Sequence, residues 1–316
     1  MPLFAAPHPI EIRWRYGAPM PIALAGGASA FIGDELVLAG GTRWDLGRKS
    51  WLKCVNIYDP KENTWRRGPD LPYAVAYGGY AQTSDGGLEI FGGTDGQQLR
   101  RECWTLDAMK KAWTFTGTVP EDLLFTAAAR VGDRTYLFGG CSDVSDLTRC
   151  TSAIFVRDRT HSWKRIGSLP AGATVMGACA VLGFDVFLFG GCSMHAASDP
   201  VNHRSSYRFD TKALEWHRIR DLPCALRGSG ATGSGTRTVY LLGGYGSCEG
   251  QAHDKSGFRN LVFIYDTESD SYASATPLPL SVMTDFYVQK NVLYGAGGED
   301  GRAHRSDRML IGEIRK

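Results

Sequence analysis

Six times along the chain a short apolar, strand-forming run ends in a pair of glycines. The runs are ELVLAGG, GLEIFGG, RTYLFGG, DVFLFGG, TVYLLGG and VLYGAGG, with second glycines at Gly41, Gly93, Gly140, Gly191, Gly244 and Gly298. Brief runs rich in β-branched and aromatic residues, bounded by glycine, predict buried strands. Successive intervals of 52, 47, 51, 53 and 54 residues make the chain a repeat of about fifty residues. Two further landmarks keep step. An aromatic residue opens a later strand at Trp65, Trp113, Trp163, Trp216 and Tyr272, and an apolar residue followed by proline comes shortly after, at Leu71-Pro72, Val119-Pro120, Leu169-Pro170, Leu222-Pro223 and Leu278-Pro279. Proline cannot donate to a strand ladder, so it marks the connection between repeats.

The sixth copy of these landmarks does not follow Gly298. It stands at the other end, where EIRWRYGAPMP (residues 11–21) puts Trp14 in the aromatic slot and Met20-Pro21 in the connection slot. The N-terminal strand is therefore expected to join three strands from the C-terminal repeat, one plus three, closing a ring that leaves no unpaired edge.

With six glycine pairs and the aromatic residues in phase, the whole chain resembles a six-bladed kelch β-propeller. The resemblance implies an all-β fold and a single domain over residues 1–316. It also implies that each glycine pair ends the second strand of a blade, where positive φ and close backbone approach exclude a side chain. Most of the periodic residues are then architectural.

Composition narrows the function. The 35 basic and 33 acidic residues give a formal net charge of only +2, so broad electrostatic attraction to nucleic acid or membrane is not indicated. No run approaches the roughly eighteen apolar residues of a membrane span. The start MPLFAAPHPIEIRW shows no secretory pattern, so a cytoplasmic location is expected, or a periplasmic one if a leader has been trimmed. The eight cysteines form no C-x-x-C pair and are expected as free thiols in a reducing compartment. A dinucleotide fingerprint and a nucleophile elbow are absent; no cofactor is implied.

In a blade of alternating strands, the loop between strands two and three shares a face with the connection to the next blade. These loops are long, whereas the turns on the opposite face are tight, so binding is expected on the long-loop face. The loops carry a recurring cation just before strand three, at Lys53, Arg100 or Arg101, Arg149, Arg204, Arg259 and Arg305. Arginine's planar fork suits carboxylate or phosphate. The same loops carry Asp95, Asp143, Asp199, Glu249, Asp254, Glu299 and Asp300. Two readings stand: an arginine-lined basin, or charges paired within the loops. Tyr77, Phe125, Met176, Arg227, Asp285 and Phe286 either line the same basin or pack between blades. The candidate ligand-binding set is Arg43, Tyr77, Asp95, Arg101, Arg149, Arg204, Arg227, Arg259, Asp285 and His304.

The segment GGEDGRAHRSD (residues 297–307) and the phrase LPYAVAYGG resemble the bacterial sialate mutarotases (N-acetylneuraminate epimerases) and their cyclically permuted relatives. That resemblance implies Glu299 as proton shuttle and Arg305 as the ligand of a sugar carboxylate, with His304 or His195 as secondary candidates. Mutarotation asks for a base at the anomeric hydroxyl, an acid at the ring oxygen and a carboxylate anchor. A second cluster, His195, Asp199 and His203, has donor types suited to iron or zinc and a spacing similar to that of the plant specifier proteins; solvated loop residues are the simpler reading. The alternative to an enzyme is a kelch interaction module that recognises an acidic peptide on the same face.

Overall fold

The computed structural model describes residues 10–143, 146–158, 162–193, 200–248 and 257–315. Six antiparallel four-stranded sheets follow one another around a central channel. Blade 1 runs from the channel outward as Ala28–Ile32, Glu35–Ala39, Val55–Asp59 and Thr64–Arg67. Blade 2 is Gly79–Gln82, Leu88–Thr94, Leu99–Leu106 and Trp113–Thr118; blade 3 is Ala127–Val131, Arg134–Cys141, Cys150–Arg157 and Trp163–Ser168. Blade 4 is Ala178–Leu182, Asp185–Phe189, Ser206–Asp210 and Glu215–Ile219; blade 5 is Gly230–Ser234, Thr238–Leu242, Val262–Asp266 and Ser271–Ser274. Blade 6 takes Phe286–Gln289, Val292–Ala296 and Met309–Ile314 from the C-terminal part, and its outer strand is Ile12–Tyr16, paired with Met309–Ile314 from Ile12↔Ile314 to Tyr16↔Leu310. The ring closes one plus three.

Apolar packing lies between blades. Each neighbouring pair shares its own cluster: Val37 and Ile57 of blade 1 meet Leu88 and Ile90 of blade 2, and Leu36 and Tyr58 of blade 1 meet Met309 and Ile311 of blade 6. The periodic aromatics fasten these interfaces. Trp14, Trp65 and Trp113 donate from Nε1 to Thr276 O (3.1 Å), Ala18 O (2.8 Å) and Pro69 O (2.9 Å), and Tyr272 donates its hydroxyl to Arg220 O (3.0 Å). Each acceptor lies just beyond the outer strand of the preceding blade. A buried ion pair adds a polar link, with Arg157 Nη2 of blade 3 at 2.5 Å from Glu89 Oε2 of blade 2.

The glycine pairs join the blades on the channel side. Gly41 N, Gly191 N, Gly244 N and Gly298 N donate to Val75 O, Leu226 O, Val282 O and Leu24 O of the following blade at 2.8–2.9 Å. Both glycines have positive φ, for example +66° and +100° at Gly297 and Gly298, and a Cβ on Gly297 would stand 2.6 Å from Leu24 O. No side chain fits there, which is why every blade's second strand ends in Gly-Gly.

One expectation is corrected. Cys224 and Cys248 form a disulfide, because Ala225–Arg227, before the inner strand of blade 5, pairs with Tyr245–Ser247, after its second strand, which sets Ala225 opposite Ser247 and brings the cysteine Cα atoms to 4.4 Å. The other six cysteines are free. No helix among the described residues is long and apolar enough to cross a membrane.

Candidate functional site

On the glycine-pair face the channel opens into a cavity of about 230 Å³, lined by Tyr77, Phe125, Met176, Asp285 and Glu299 among others. It continues into the channel past Ser29, Tyr80, Thr126 and Asp285 into a further space of about 370 Å³. Among the described residues, Asp285 and Glu299 are the only charged side chains in either lining.

The mouth is set by a ring of backbone hydrogen bonds. Tyr77 N donates to Gly26 O (2.8 Å), Phe125 N to Tyr77 O (2.8 Å), Met176 N to Phe125 O (3.5 Å) and Gly228 N to Met176 O (2.8 Å). All five residues have φ between +55° and +70°. Tyr77, Phe125 and Met176 thus hold a left-handed conformation unfavourable for residues with a Cβ, and the ring of bonds supports it. The conformation turns their side chains into the cavity, where the Tyr77 and Phe125 rings sit 4.9 Å apart.

Blade 6 departs from this repeat at four positions near the cavity. Its counterpart to those five residues is Thr284, which takes no part in the ring and donates instead to Ala296 O at 2.8 Å. The residue before each inner strand is Gly27, Gly78, Thr126, Gly177 or Ser229 in blades 1 to 5 but Asp285 in blade 6. After the glycine pair stand Thr42, Thr94, Cys141, Cys192 and Tyr245, and then Glu299. Their partners across the loop are Trp51, Leu99, Cys150, Asn202 and Phe258. The corresponding residue in blade 6 is Arg305, directly before Ser306, whose N–H donates to Gly298 O as Leu52 N and His203 N do to Gly41 O and Gly191 O.

Arg305 is 4% exposed and Glu299 33%. Arg305 Nη1 lies 3.1 Å from Glu299 Oε1 and donates to His304 O at 3.0 Å, while its Nε donates to Thr42 Oγ1 at 3.3 Å. Thr42 Oγ1 is in turn 3.3 Å from the Tyr77 hydroxyl. Lys49, on the blade 1 hairpin of Thr42–Asp45 with Arg48–Trp51, holds its Nζ 4.7 Å from the centre of the Tyr77 ring and 5.3 Å from that of Trp51. Lys49, Tyr77, Thr42, Arg305 and Glu299 therefore form one contiguous run across blades 1 and 6 and the start of blade 2.

Deeper in, the Tyr80 hydroxyl donates to Asp285 Oδ2, and the Tyr287 hydroxyl donates to Ser29 O at 2.6 Å. Asp285 is open to the lumen, yet protein surrounds it at depth. That burial pushes its carboxyl above the usual value, against the lowering effect of the Tyr80 hydrogen bond. Burial likewise raises the Tyr80 hydroxyl.

The remaining predicted residues lie elsewhere. Arg101 and Arg204 donate to Val119 O (3.0 Å) and Leu222 O (2.7 Å), the carbonyls just before the connection prolines, and Asn260 does the same to Leu278 O (3.2 Å). Arg259 is buried, with Nε on Gly246 O at 2.8 Å. Arg43 pairs with Asp45 at 2.5 Å, and Arg149 with Asp146 at 3.6 Å. Asp95 pairs with Arg100 at 2.5 Å; burial opposes its ionisation, but the Gln98 and Gln97 N–H groups and Arg100 prevail and hold its pKa at about 2. Arg227 reaches the rim of blade 5, over Tyr245 at 4.3 Å and bonded to Asn202 Oδ1 at 2.8 Å. His304 points to Asp300 at 2.5 Å, with its side chain 69% exposed. His203 Nε2 is 2.7 Å from Ser193 Oγ; His195 and Asp199 lie outside the described residues, as do Glu249 and Asp254. No group of three metal-ligating side chains occurs among the described residues.

Comparison with known proteins agrees with this architecture. The kelch motif family matches residues 23–72. Kelch-like protein 25 of Xenopus tropicalis is 25% identical over 267 residues, covering 81% of this chain and 41% of that protein. Spermatocyte protein spe-26 of Caenorhabditis elegans is 28% identical over 69% of this chain and 37% of its own length. N-acetylneuraminate epimerase of Haemophilus influenzae (strain 86-028NP) is 21% identical over 347 residues, covering 92% of this chain and 90% of that protein. The chain thus spans about two fifths of the first two relatives and nearly all of the third.

Proposed function

The chain is a six-bladed kelch propeller, and from that premise we propose that its central cavity binds a small sugar acid and catalyses exchange of its anomers. Glu299 is the group that takes and returns the proton of the anomeric hydroxyl. The observation that carries this reading is the Glu299–Arg305 pair. A carboxylate at the cavity mouth is fixed by an almost fully buried guanidinium, at positions where the other five blades carry no charge.

The geometry refines the division of labour. Arg305 already serves Glu299 and Thr42 and has almost no exposed surface, so it is a positioning residue that holds the Glu299 carboxylate in place. Lys49, over the Tyr77 ring, is the cation proposed to meet the substrate carboxylate. Tyr77 and Phe125 offer apolar faces to the sugar ring, as small-molecule sites do. Similarity to N-acetylneuraminate epimerase along nearly the full length of both proteins supports a sialic acid or a related sugar acid as the substrate class.

The experiment is anomer exchange of N-acetylneuraminate followed by NMR magnetisation transfer at a pH where spontaneous exchange is slow. Acceleration by wild-type protein, with a raised KM in Lys49→Ala, is the expected result. Absence of acceleration across a panel of sialic and related sugar acids would put the interaction-module reading ahead, with an acidic partner segment at the same mouth.

A further inference from the structure

Anomer exchange needs a proton donor as well as a base; of the secondary candidates the sequence offered, His304 points to Asp300 and His195 lies outside the described residues. Within the cavity the available acids are few. Glu299 is ion-paired to Arg305 at 3.1 Å. The one other ionisable carboxyl in the lining is Asp285, which has no cationic partner in the cavity and accepts a hydrogen bond from Tyr80. Its counterparts in the other blades are glycine, serine or threonine, so nothing in the repeat calls for a carboxyl there. The two blade 6 carboxyls are also tied together mechanically. Met283 and Glu299 exchange both backbone hydrogen bonds, Met283 N to Glu299 O at 2.8 Å and Glu299 N to Met283 O at 3.0 Å, and Asp285 follows Met283 by two residues. The bridge sets the backbone of one carboxyl beside that of the other.

We propose that Asp285 is the proton-donating half of the site, with Tyr80 holding its carboxyl in place; this rests on the mutarotase reading of Glu299. Ring opening balances as follows. The anomeric hydroxyl gives its proton to the Glu299 carboxylate, the carbonyl π bond forms at the anomeric carbon, and the bond from that carbon to the ring oxygen breaks. Its electron pair stays on the ring oxygen, which takes the proton of Asp285. Rotation about the adjacent carbon–carbon bond turns the other face of the carbonyl to the hydroxyl. Closure then returns one proton to Asp285 and the other from Glu299 to the new anomeric hydroxyl. No oxidant, metal or cofactor enters the balance.

Two carboxyls in one cavity stand in different surroundings, one beside a guanidinium and one among apolar and hydroxylic groups, the kind of arrangement by which one site supplies both acid and base. The groups facing Asp285 are Tyr80 from blade 2, Tyr287 on its own strand and Cys179 from blade 4, all with acidities depressed chiefly by burial. The Thr126 and Ser229 hydroxyls complete the ring around it. None of these brings a positive charge that would force Asp285 to ionise.

The test is the pH profile of anomer exchange in wild-type protein, Asp285→Asn and Tyr80→Phe. General acid catalysis contributes on the order of 10² to 10⁴ in rate. In wild-type protein the rate should fall on the alkaline side as Asp285 loses its proton. Asp285→Asn should lose about a hundredfold or more in kcat with KM little changed, and the alkaline fall should vanish. Tyr80→Phe keeps the ring and removes the hydroxyl that favours the ionised form, so its alkaline fall should move to higher pH; a merely structural role for Tyr80 would leave that position unchanged. An Asp285→Asn protein with wild-type kcat and an intact alkaline limb would overturn the donor role while leaving Glu299 as base. A wild-type protein without activity would remove both.

Discussion

Arg305 Nη1 lies 3.1 Å from Glu299 Oε1, with the arginine side chain 4% exposed and the glutamate 33%. The two side chains meet at the mouth of a channel whose other five blades present no charge at the corresponding positions. An arginine buried to that degree with a single carboxylate partner is costly unless the pair is kept intact. Glu299→Gln keeps an acceptor for the guanidinium but removes the charge that offsets it, and is therefore expected to lower Tm moderately, whereas Arg305→Met leaves only a carboxylate one third exposed to water and should melt closer to wild type while losing activity because Glu299 is no longer held. Circular dichroism melts of the two variants check this; a larger Tm loss in Arg305→Met would show that the packing of the arginine, and not the paired charge, carries the stability.

Burial raises the Asp285 carboxyl above its ordinary value of 3.8, which fixes the sign of its linkage to stability. Below the unfolded value both states are protonated and the group's stabilising contribution is fully present. As pH rises through the folded value the native protein must hold a charge it disfavours, and that contribution is lost. Asp285→Asn, which cannot ionise, should therefore raise Tm at about pH 8, with a gain that shrinks as the pH falls towards about 4. A gain that is constant or larger in acid would contradict the assignment.

The interface between blades 2 and 3 depends on the Arg157–Glu89 pair, both side chains about 5% exposed or less, with Thr116 Oγ1 donating to Glu89 at 2.7 Å. Breaking a buried pair by removing one partner costs about 3 to 5 kcal/mol because the other charge is stranded. Glu89→Ala should lose about that much in urea unfolding. A loss under about 1 kcal/mol would mean that water reaches Arg157 after all.

The glycine pairs make a sharper backbone prediction. Gly297→Ala places a Cβ 2.6 Å from Leu24 O at φ +66° and should cost about 1 to 3 kcal/mol or more, read from the same melts. Gly33→Ala serves as the comparison, since its φ is also positive (+64°) but no atom lies within 4 Å of the added Cβ. Equal losses at both positions would show that φ alone matters.

The blades were legible because their signals are backbone requirements. Gly-Gly at positive φ against the next blade's carbonyl recurs at a fixed offset, and so does an aromatic packed against the preceding blade, which donates into it at Trp14, Trp65, Trp113 and Tyr272. The cations were not legible in the same way. Lys53, Arg101 and Arg204 share one register and face the connection between blades, with Asn260 in the same place; Arg305 lies two positions earlier in that register, alongside Trp51, Leu99, Cys150, Asn202 and Phe258. Loops of unequal length hide this difference in sequence, and only the pairing across each loop reveals it. Lys49 gives no periodic signal because the blade 1 hairpin, Thr42–Asp45 with Arg48–Trp51, has longer paired arms beyond the glycine pair than the corresponding loops of the other blades among the described residues. Tyr80 occupies an ordinary inner-strand position, where Ser29, Ala128, Cys179, Ala231 and Tyr287 are its counterparts. The disulfide depends on the pairing of Ala225–Arg227 with Tyr245–Ser247 across two intervening strands of blade 5, which places residues 24 apart in sequence side by side.

The proton shuttle at Glu299 is the centre of the account, and anomer exchange of N-acetylneuraminate measured side by side for wild-type protein and Glu299→Gln tests it most directly. The amide keeps the shape of the side chain and an acceptor for Arg305 but cannot take up the anomeric proton. The account predicts acceleration by wild-type protein and a loss of about a hundredfold or more in Glu299→Gln, with ligand binding preserved by calorimetry. A Glu299→Gln protein as fast as wild type, or a wild-type protein that leaves the spontaneous rate unchanged, would contradict it.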